Sequence, residues 1–302
     1  MKKFIILFIV SILVIALIIG QCDDNIPEQP NEEFLEESDD FSEGLKACLI
    51  PSDVEEVEVE AKEEMSEETY PKTVVVNSLE IPKILRDIPE QILNRKAYTV
   101  SYNKISKCPN WVAWHLTSEH TDGNCQRDNS YYEDENVPEP RATNEDYRGS
   151  GWSRGHMCPA ADNKWDSMAM RESNLLTNIC PQHRNLNSGL WNVIEHDCRK
   201  WAKKYGDVYI VCGPILLNKG HETIGVNKVV VPEAFFKVIL RMNPQPAAIG
   251  FIVRNNEGTK KKNQYVNTVD EVERITKIDF FPALPDSIED KVEAYSNIDD
   301  WR

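Results

Sequence analysis

Hydrophobic positions along the chain fall into three regimes. From Phe4 to Gly20 they are almost unbroken, 17 residues behind Met1-Lys2-Lys3. From residue 23 to residue 70 they are scattered among acids without a helical or strand period, and such a stretch cannot bury a core. In the remainder they become periodic. "KAYTVSYNK" (96–104) alternates and predicts a strand, with "NWVAWHLT" (110–117) as its partner. "DVYIVCGPIL" (207–216) is apolar and β-branched and reads as a buried strand stopped by Gly213-Pro214. "VPEAFFKVILRM" (231–242) and "AAIGFIVRN" (247–255) read as two more. "TVDEVERITKIDFF" (268–281) predicts a helix capped by Thr268. No internal repeat is visible. Strands dominate, with helices between and after them, which points to an α+β fold rather than alternating βαβ units.

The most informative periodicity starts at Asn187. "NSGLWNVIEHDCRKWAKKYG" predicts a helix ending at Gly206. Leu190, Ile194, Cys198 and Trp201 repeat as a buried stripe. Asn187, Trp191, Glu195 and Arg199 form a second row, four residues apart, along one edge of that stripe. An amide, a carboxylate and a guanidinium aligned at a core boundary differ from a solvated face. The plainer alternative is a surface Glu195–Arg199 ion pair worth a few tenths of a kcal/mol.

Charge divides the chain in the same places. Residues 1–70 hold 19 acidic and 4 basic side chains, while the rest carries 31 and 30. The acidity therefore belongs to a leader and spacer, and the near-neutral body remains compatible with polyanionic partners. This predicts three regions: 1–22 as a signal peptide, lipoprotein signal or membrane anchor, 23–70 as an acidic spacer, and 71–302 as the functional domain. "LIIGQC" resembles a lipobox ending at Cys22, although Gln21 stands where a small residue is usual. The expectation is an exported protein, periplasmic or at the cell surface, attached to a membrane through its N-terminal segment. Six cysteines remain in the body, an even number that suggests disulfides in that setting. The pairs expected are Cys198–Cys212, Cys158–Cys180 and Cys108–Cys125. No C-x-x-C pair exists, which disfavours a structural zinc site.

"SGWSRGHMCPAAD" (150–162) raises the chemistry. Phosphodiester hydrolysis needs a base for water, positive charge on the phosphate and help for the leaving oxygen. His156 can be the base. Arg154 can fork onto phosphate oxygens, and Gly155 lets backbone approach a ligand. Asn187 offers a neutral oxygen to a hard cation such as Mg²⁺. Glu195 can hold a water of that cation, and Arg199 can neutralise the scissile group. His115, His120, His183, His196 and His221 have no partner at ligand spacing and read as surface or structural residues.

"SRGHMCPAAD", then "TNICPQHRNLNSGLW", then Glu195 and Arg199, resemble the DNA/RNA non-specific endonuclease family, which includes endonuclease G. The resemblance covers roughly residues 95–280. It implies a ββα-metal nuclease core with a mainly antiparallel central sheet flanked by helices. It also implies metal-dependent cleavage of DNA and RNA to 5′-phosphate ends, with Mg²⁺ as cofactor and Mn²⁺ as a substitute. By resemblance His156 is the general base and Asn187 the sole protein ligand of the metal. Glu195 holds metal-bound water, Arg154 and Arg199 contact phosphate, and Asn178 positions the site. Relatives in this family are often dimers, so a homodimer is expected. One position departs: Ser153 stands where the family has aspartate, which predicts an altered rate or substrate preference. The alternatives are a catalytically weak nucleic-acid-binding relative and a surface-anchored scaffold.

Overall fold

The computed structural model describes residues 78–302 except 84, 86, 218 and 219. The leader and the acidic spacer lie outside the described residues. Eleven strands are present among the described residues. They are β1 (Gln91–Asn94), β2 (Thr99–Asn103), β3 (Cys108–Thr117), β4 (Ser153–His156), β5 (Ile179–Gln182), β6 (Asp207–Ile215), β7 (Thr223–Ile224), β8 (Val229–Val230), β9 (Ala234–Arg241), β10 (Ala247–Arg254) and β11 (Val266–Asn267). Seven of them make one sheet in the order β1-β2-β3-β6-β9-β10-β11, with every neighbouring pair antiparallel. The expected α+β class is the one observed.

Strand β9 lies inside this sheet and is buried along its whole length, which explains why its sequence is nearly continuous in apolar residues instead of alternating. Its alternate side chains serve two cores. Phe235 packs on Trp191 with ring centroids 5.5 Å apart, and Phe236 packs on Phe280 at 5.4 Å. One face is therefore covered by the helix Asn192–Tyr205, and the other by Val269–Thr276 and the segment after it. Burying a side chain such as Leu, Ile or Phe is worth about 1.5–3 kcal/mol, so this double-sided core is what holds the layers together.

Two sequence expectations shift. Gly213-Pro214 does not stop β6, which continues to Ile215. The β3 pairing ends at Val112–Cys212, so Pro214 pairs only with β9 and its missing N–H costs no bond on the β3 side. The helix over 268–281 ends earlier, at Thr276, because Lys277 adopts a left-handed conformation (φ 60°). Thr268 does cap it, accepting the Glu271 N–H at 3.2 Å.

The expected disulfides are absent: Cys108, Cys125, Cys158, Cys180, Cys198 and Cys212 are all free. Five of them are buried, and each thiol serves the core locally. Cys212 Sγ donates to the Met157 carbonyl at 3.2 Å, and Cys108 Sγ to the Val230 carbonyl at 3.4 Å. Burial pushes the Cys198 thiol up to about 12 and that of Cys212 to about 11. Such thiols stay protonated and unreactive.

Candidate active site

Strands β4 and β5 form a separate two-stranded ribbon, with His156 opposite Ile179, Gly155 opposite Cys180, Arg154 opposite Pro181 and Ser153 opposite Gln182. A wide helical turn, Asn187–Trp191, follows, kinked at Gly189 (φ −104°, ψ −109°), and leads into the helix Asn192–Tyr205. The predicted single helix is thus two pieces. Its buried stripe is where the sequence put it: Leu190, Ile194, Cys198 and Trp201 are all buried. Trp191 Nε1 donates to the His156 carbonyl at 3.3 Å, fastening helix to ribbon.

His156 is buried, and its Nε2 lies 2.8 Å from Asn174 Oδ1. Asn174 Nδ2 donates to the Asp128 carbonyl at 2.9 Å. That bond turns Oδ1 toward the imidazole, and an amide oxygen can only accept. The hydrogen therefore sits on Nε2, and Nδ1 is left with the lone pair. Burial holds the imidazole well below the ordinary histidine range, at about 4, with the Asn174 bond opposing the shift and Arg127 adding to it. The side chain is neutral at physiological pH, the state a general base requires.

Asn178, expected to position the site, hydrogen-bonds to backbone and not to the imidazole. Its amide nitrogen donates to the carbonyls of Cys158 (2.8 Å) and Ser173 (2.7 Å), and its oxygen accepts the Cys158 N–H at 2.9 Å. It pins the backbone just beyond His156. The residue on the imidazole is Asn174, 18 positions away in the chain, and no local sequence signal marks it.

Gly155 is required by its neighbour strand. A Cβ there would lie 2.3 Å from Gln182 Oε1 and 2.6 Å from Gln182 Cβ, whereas the sequence suggested close approach to a ligand. Gln182 is fully buried and has little room to yield. Gly155→Ala is expected to cost about 1–3 kcal/mol by overpacking, read as a lowered urea midpoint at unchanged slope. A midpoint within error of the parent would show that β4 and β5 can separate there.

Arg154 sits in an aromatic sleeve, its guanidinium carbon 5.2 Å from the Tyr131 ring centre and 5.1 Å from that of Tyr147. Its Nη2 donates to the Asn144 carbonyl at 2.9 Å. Among the described residues no carboxylate pairs with it, so its charge is available to an anion. Tyr131, Tyr147, Trp152, Arg154, Arg184 and Asn187 line a cleft of about 470 Å³. The Asn187 side chain opens on this cleft without a hydrogen-bond partner among the described residues.

Arg199 already has a partner. It does not pair with Glu195, and it is not free. Its Nη1 donates to Asp162 Oδ1 at 2.8 Å, and Asp162 Oδ2 accepts from Trp114 Nε1 at 3.2 Å. Asp162 was missed because its role depends on contact with a helix 37 residues away. Beneath lies Lys237 of β9, fully buried, its ammonium 4.6 Å from the Trp191 ring centre and 5.0 Å from that of Trp114. Burial favours the neutral form of this lysine, while the Glu195 and Asp162 carboxyls that face it favour the charged form. Burial pushes the Glu195 carboxyl up to about 7, and Lys237 is the largest influence opposing that rise. Two cations, Lys237 and Arg199, thus face two carboxylates, Glu195 and Asp162. Exposed Arg127 adds positive charge felt by both His156 and Glu195. It lies in the stretch between β3 and β4, where spacing gives no signal.

The other histidines are structural or superficial. His115 meets Asp207 at 2.8 Å, His221 meets Glu233 at 2.9 Å, His120 stacks on Trp165, His183 accepts the Asn185 N–H, and His196 is exposed.

Residues 77–287 match the family model of the DNA/RNA non-specific endonuclease. The chain is similar to the mitochondrial nuclease EXOG of Xenopus laevis, 38% identical over 204 residues that cover 62% of this chain and 57% of that one. It is also similar to human mitochondrial endonuclease G, 35% identical over 161 residues that cover 50% and 54% of the two chains. The matches span little more than half the length of these relatives. A solved structure of an EndoG/EndoGI complex superimposes with a TM-score of 0.62 at 28% identity, covering 66% of this chain and 89% of that one. These relatives correct the expectation of a periplasmic or cell-surface protein, since they are named as mitochondrial nucleases.

Proposed function

This chain belongs to the DNA/RNA non-specific endonuclease family, and on that premise we propose that it is a metal-dependent, sugar-non-specific endonuclease hydrolysing phosphodiester bonds of DNA and RNA to 5′-phosphate ends. The observation that carries the reading is a buried, neutral His156 with its Nε2 hydrogen fixed by Asn174, next to Arg154, a cation with no carboxylate partner among the described residues.

Within this proposal each residue has a task. His156 Nδ1 accepts a proton from the attacking water. Arg154, stiffened by its two tyrosines, holds a phosphate oxygen by charge-assisted hydrogen bonds. Asn174 keeps the imidazole in one tautomer. Arg199 is held by Asp162, so its contribution is a fixed positive field at the helix and not a mobile phosphate clamp. A hard divalent cation fits the residues present. The Asn187 amide oxygen is a hard donor on the cleft, and neither it nor the Glu195 carboxylate has a hydrogen-bond partner among the described residues. Asn187 would hold the ion and Glu195 its waters. Mg²⁺, or Mn²⁺ in its place, supplies electrostatic stabilisation of charge on the phosphate and the leaving 3′-oxygen. Residues 71–302 form the nuclease domain behind the acidic spacer, and the active species is a homodimer in this reading.

The test is cleavage of supercoiled plasmid and of RNA by the purified chain with Mg²⁺, with and without EDTA. Cleavage of both that EDTA abolishes is expected. A folded protein that cuts neither, or cuts equally in EDTA, overturns the proposal. Asn187→Ala should weaken use of the metal, so its defect shrinks as Mg²⁺ is raised from about 1 to 50 mM. A defect independent of Mg²⁺ would remove Asn187 from the metal site.

A further inference from the structure

The face of the sheet opposite the cleft carries a second group of carboxylates that the nuclease reading does not use. Helix Val269–Thr276 presents Asp270 and Glu273 one turn apart, and helix Asp286–Glu293 ends at Glu293. One carboxylate oxygen from each of Asp270, Glu273 and Glu293 lies within 4.8 Å of the other two. Glu293 is only 7% exposed, and its Oε1 has no hydrogen-bond partner. A buried carboxylate with an unpartnered oxygen, set beside two other carboxylates, is costly, and its place at the C-terminal end of a helix dipole adds to the cost.

The surroundings do not neutralise it. Asp279 and Glu289 add further negative charge. Lys83 meets Asp279 at 2.9 Å, and Arg274 is turned onto Glu271 through two bonds of 2.8 Å. Glu273 Oε1 accepts the Phe280 N–H at 2.7 Å, which fixes that side chain in the group. Asp270 is exposed and gives the group an opening to solvent.

We infer that Asp270, Glu273 and Glu293 form a binding site for a hard divalent cation of Ca²⁺ size, which clamps helix Val269–Thr276 to helix Asp286–Glu293. Oxygens each about 2.4 Å from one ion can lie at most about 4.8 Å apart, and protein Ca²⁺–oxygen distances are about 2.3–2.6 Å. Three carboxylates match the all-oxygen preference of such an ion, with water completing its shell.

The experiment is thermal unfolding of the whole chain against CaCl2. Ca²⁺ at about 100 times its Kd should raise Tm by about 5–10 °C, equally in the parent and in Asn187→Ala. Asp270→Asn, at the exposed rim, and Glu293→Gln should both lose this rise. Asp270→Asn keeps the test valid if the buried Glu293→Gln fails to fold. No rise up to about 10 mM Ca²⁺, above the ~1 mM weak end of protein sites, would overturn the inference and leave the carboxyls sharing protons. A rise that survives in Asp270→Asn would overturn it too, as would one lost in Asn187→Ala, which would assign the ion to the cleft.

Discussion

His156→Ala should lower kcat by about 10²–10⁴-fold, the range typical of a removed general base, while the protein stays folded. The imidazole is the one neutral titratable base of the ribbon, and its tautomer is set by a two-step chain, Asp128 carbonyl to Asn174 amide to His156 Nε2. The bond donated by the Trp191 indole Nε1 goes to the His156 backbone carbonyl and survives the change. The defect should persist at high Mg²⁺, unlike that of Asn187→Ala, and added imidazole should restore part of the rate because the cavity left matches the group removed. With its affinity for the proton depressed to about 4, His156 stays unprotonated as pH falls from 8 to 6, so loss of parent activity over that interval must come from another group. Near-full activity in folded His156→Ala would remove this residue from the chemistry.

Lys237→Met should cost about 3 kcal/mol of stability at pH 8, the lower end of the ~3–5 kcal/mol seen when one partner of a buried charge network is removed. The volume is nearly conserved, so the loss measures charge and not cavity. The pH dependence carries the sign. Glu195 has a folded-state affinity for the proton raised to about 7, so its ionisation opposes folding. Its contribution to stability is fully present below the ordinary carboxylate range and is lost as pH rises through about 7. Removing Lys237 deepens that loss, and the destabilisation should be smaller at pH 6, where Glu195 takes up a proton. The acid limb of the pH–rate profile should move upward, since Lys237 is the largest influence favouring the ionised Glu195 carboxyl. Urea unfolding at both pH values and the rate profile check the two parts. Equal destabilisation at pH 6 and pH 8 with an unmoved acid limb would show that Lys237 is held by its tryptophans and not by the carboxylates.

How far the chain could be read differs from residue to residue. The strands around Val100, Val112, Ile210 and Ile249 were legible because alternation and β-branched runs report a pleated, buried backbone directly. The row Asn187, Trp191, Glu195, Arg199 was legible as an edge because helical spacing is local. That row did not reveal its kink at Gly189, nor that Arg199 would turn to Asp162 in place of Glu195. Asn178 carried a motif signal and proved to act on the backbone, while Asn174, which does hold the imidazole, carried none.

The sequence by itself determined the periodicities, the ordered motifs around His156 and Asn187, and the confinement of excess acid to residues 1–70. These depend on contacts a few residues apart, or on no contact at all. The tertiary structure decided which polar groups meet: Asn174 with His156, Asp162 with Arg199, and Lys237 under Glu195. It also decided that the six body cysteines stay free. Each of these is set by strand register and by which layer covers which face of the sheet, and that long-range geometry exists only once the whole core has closed.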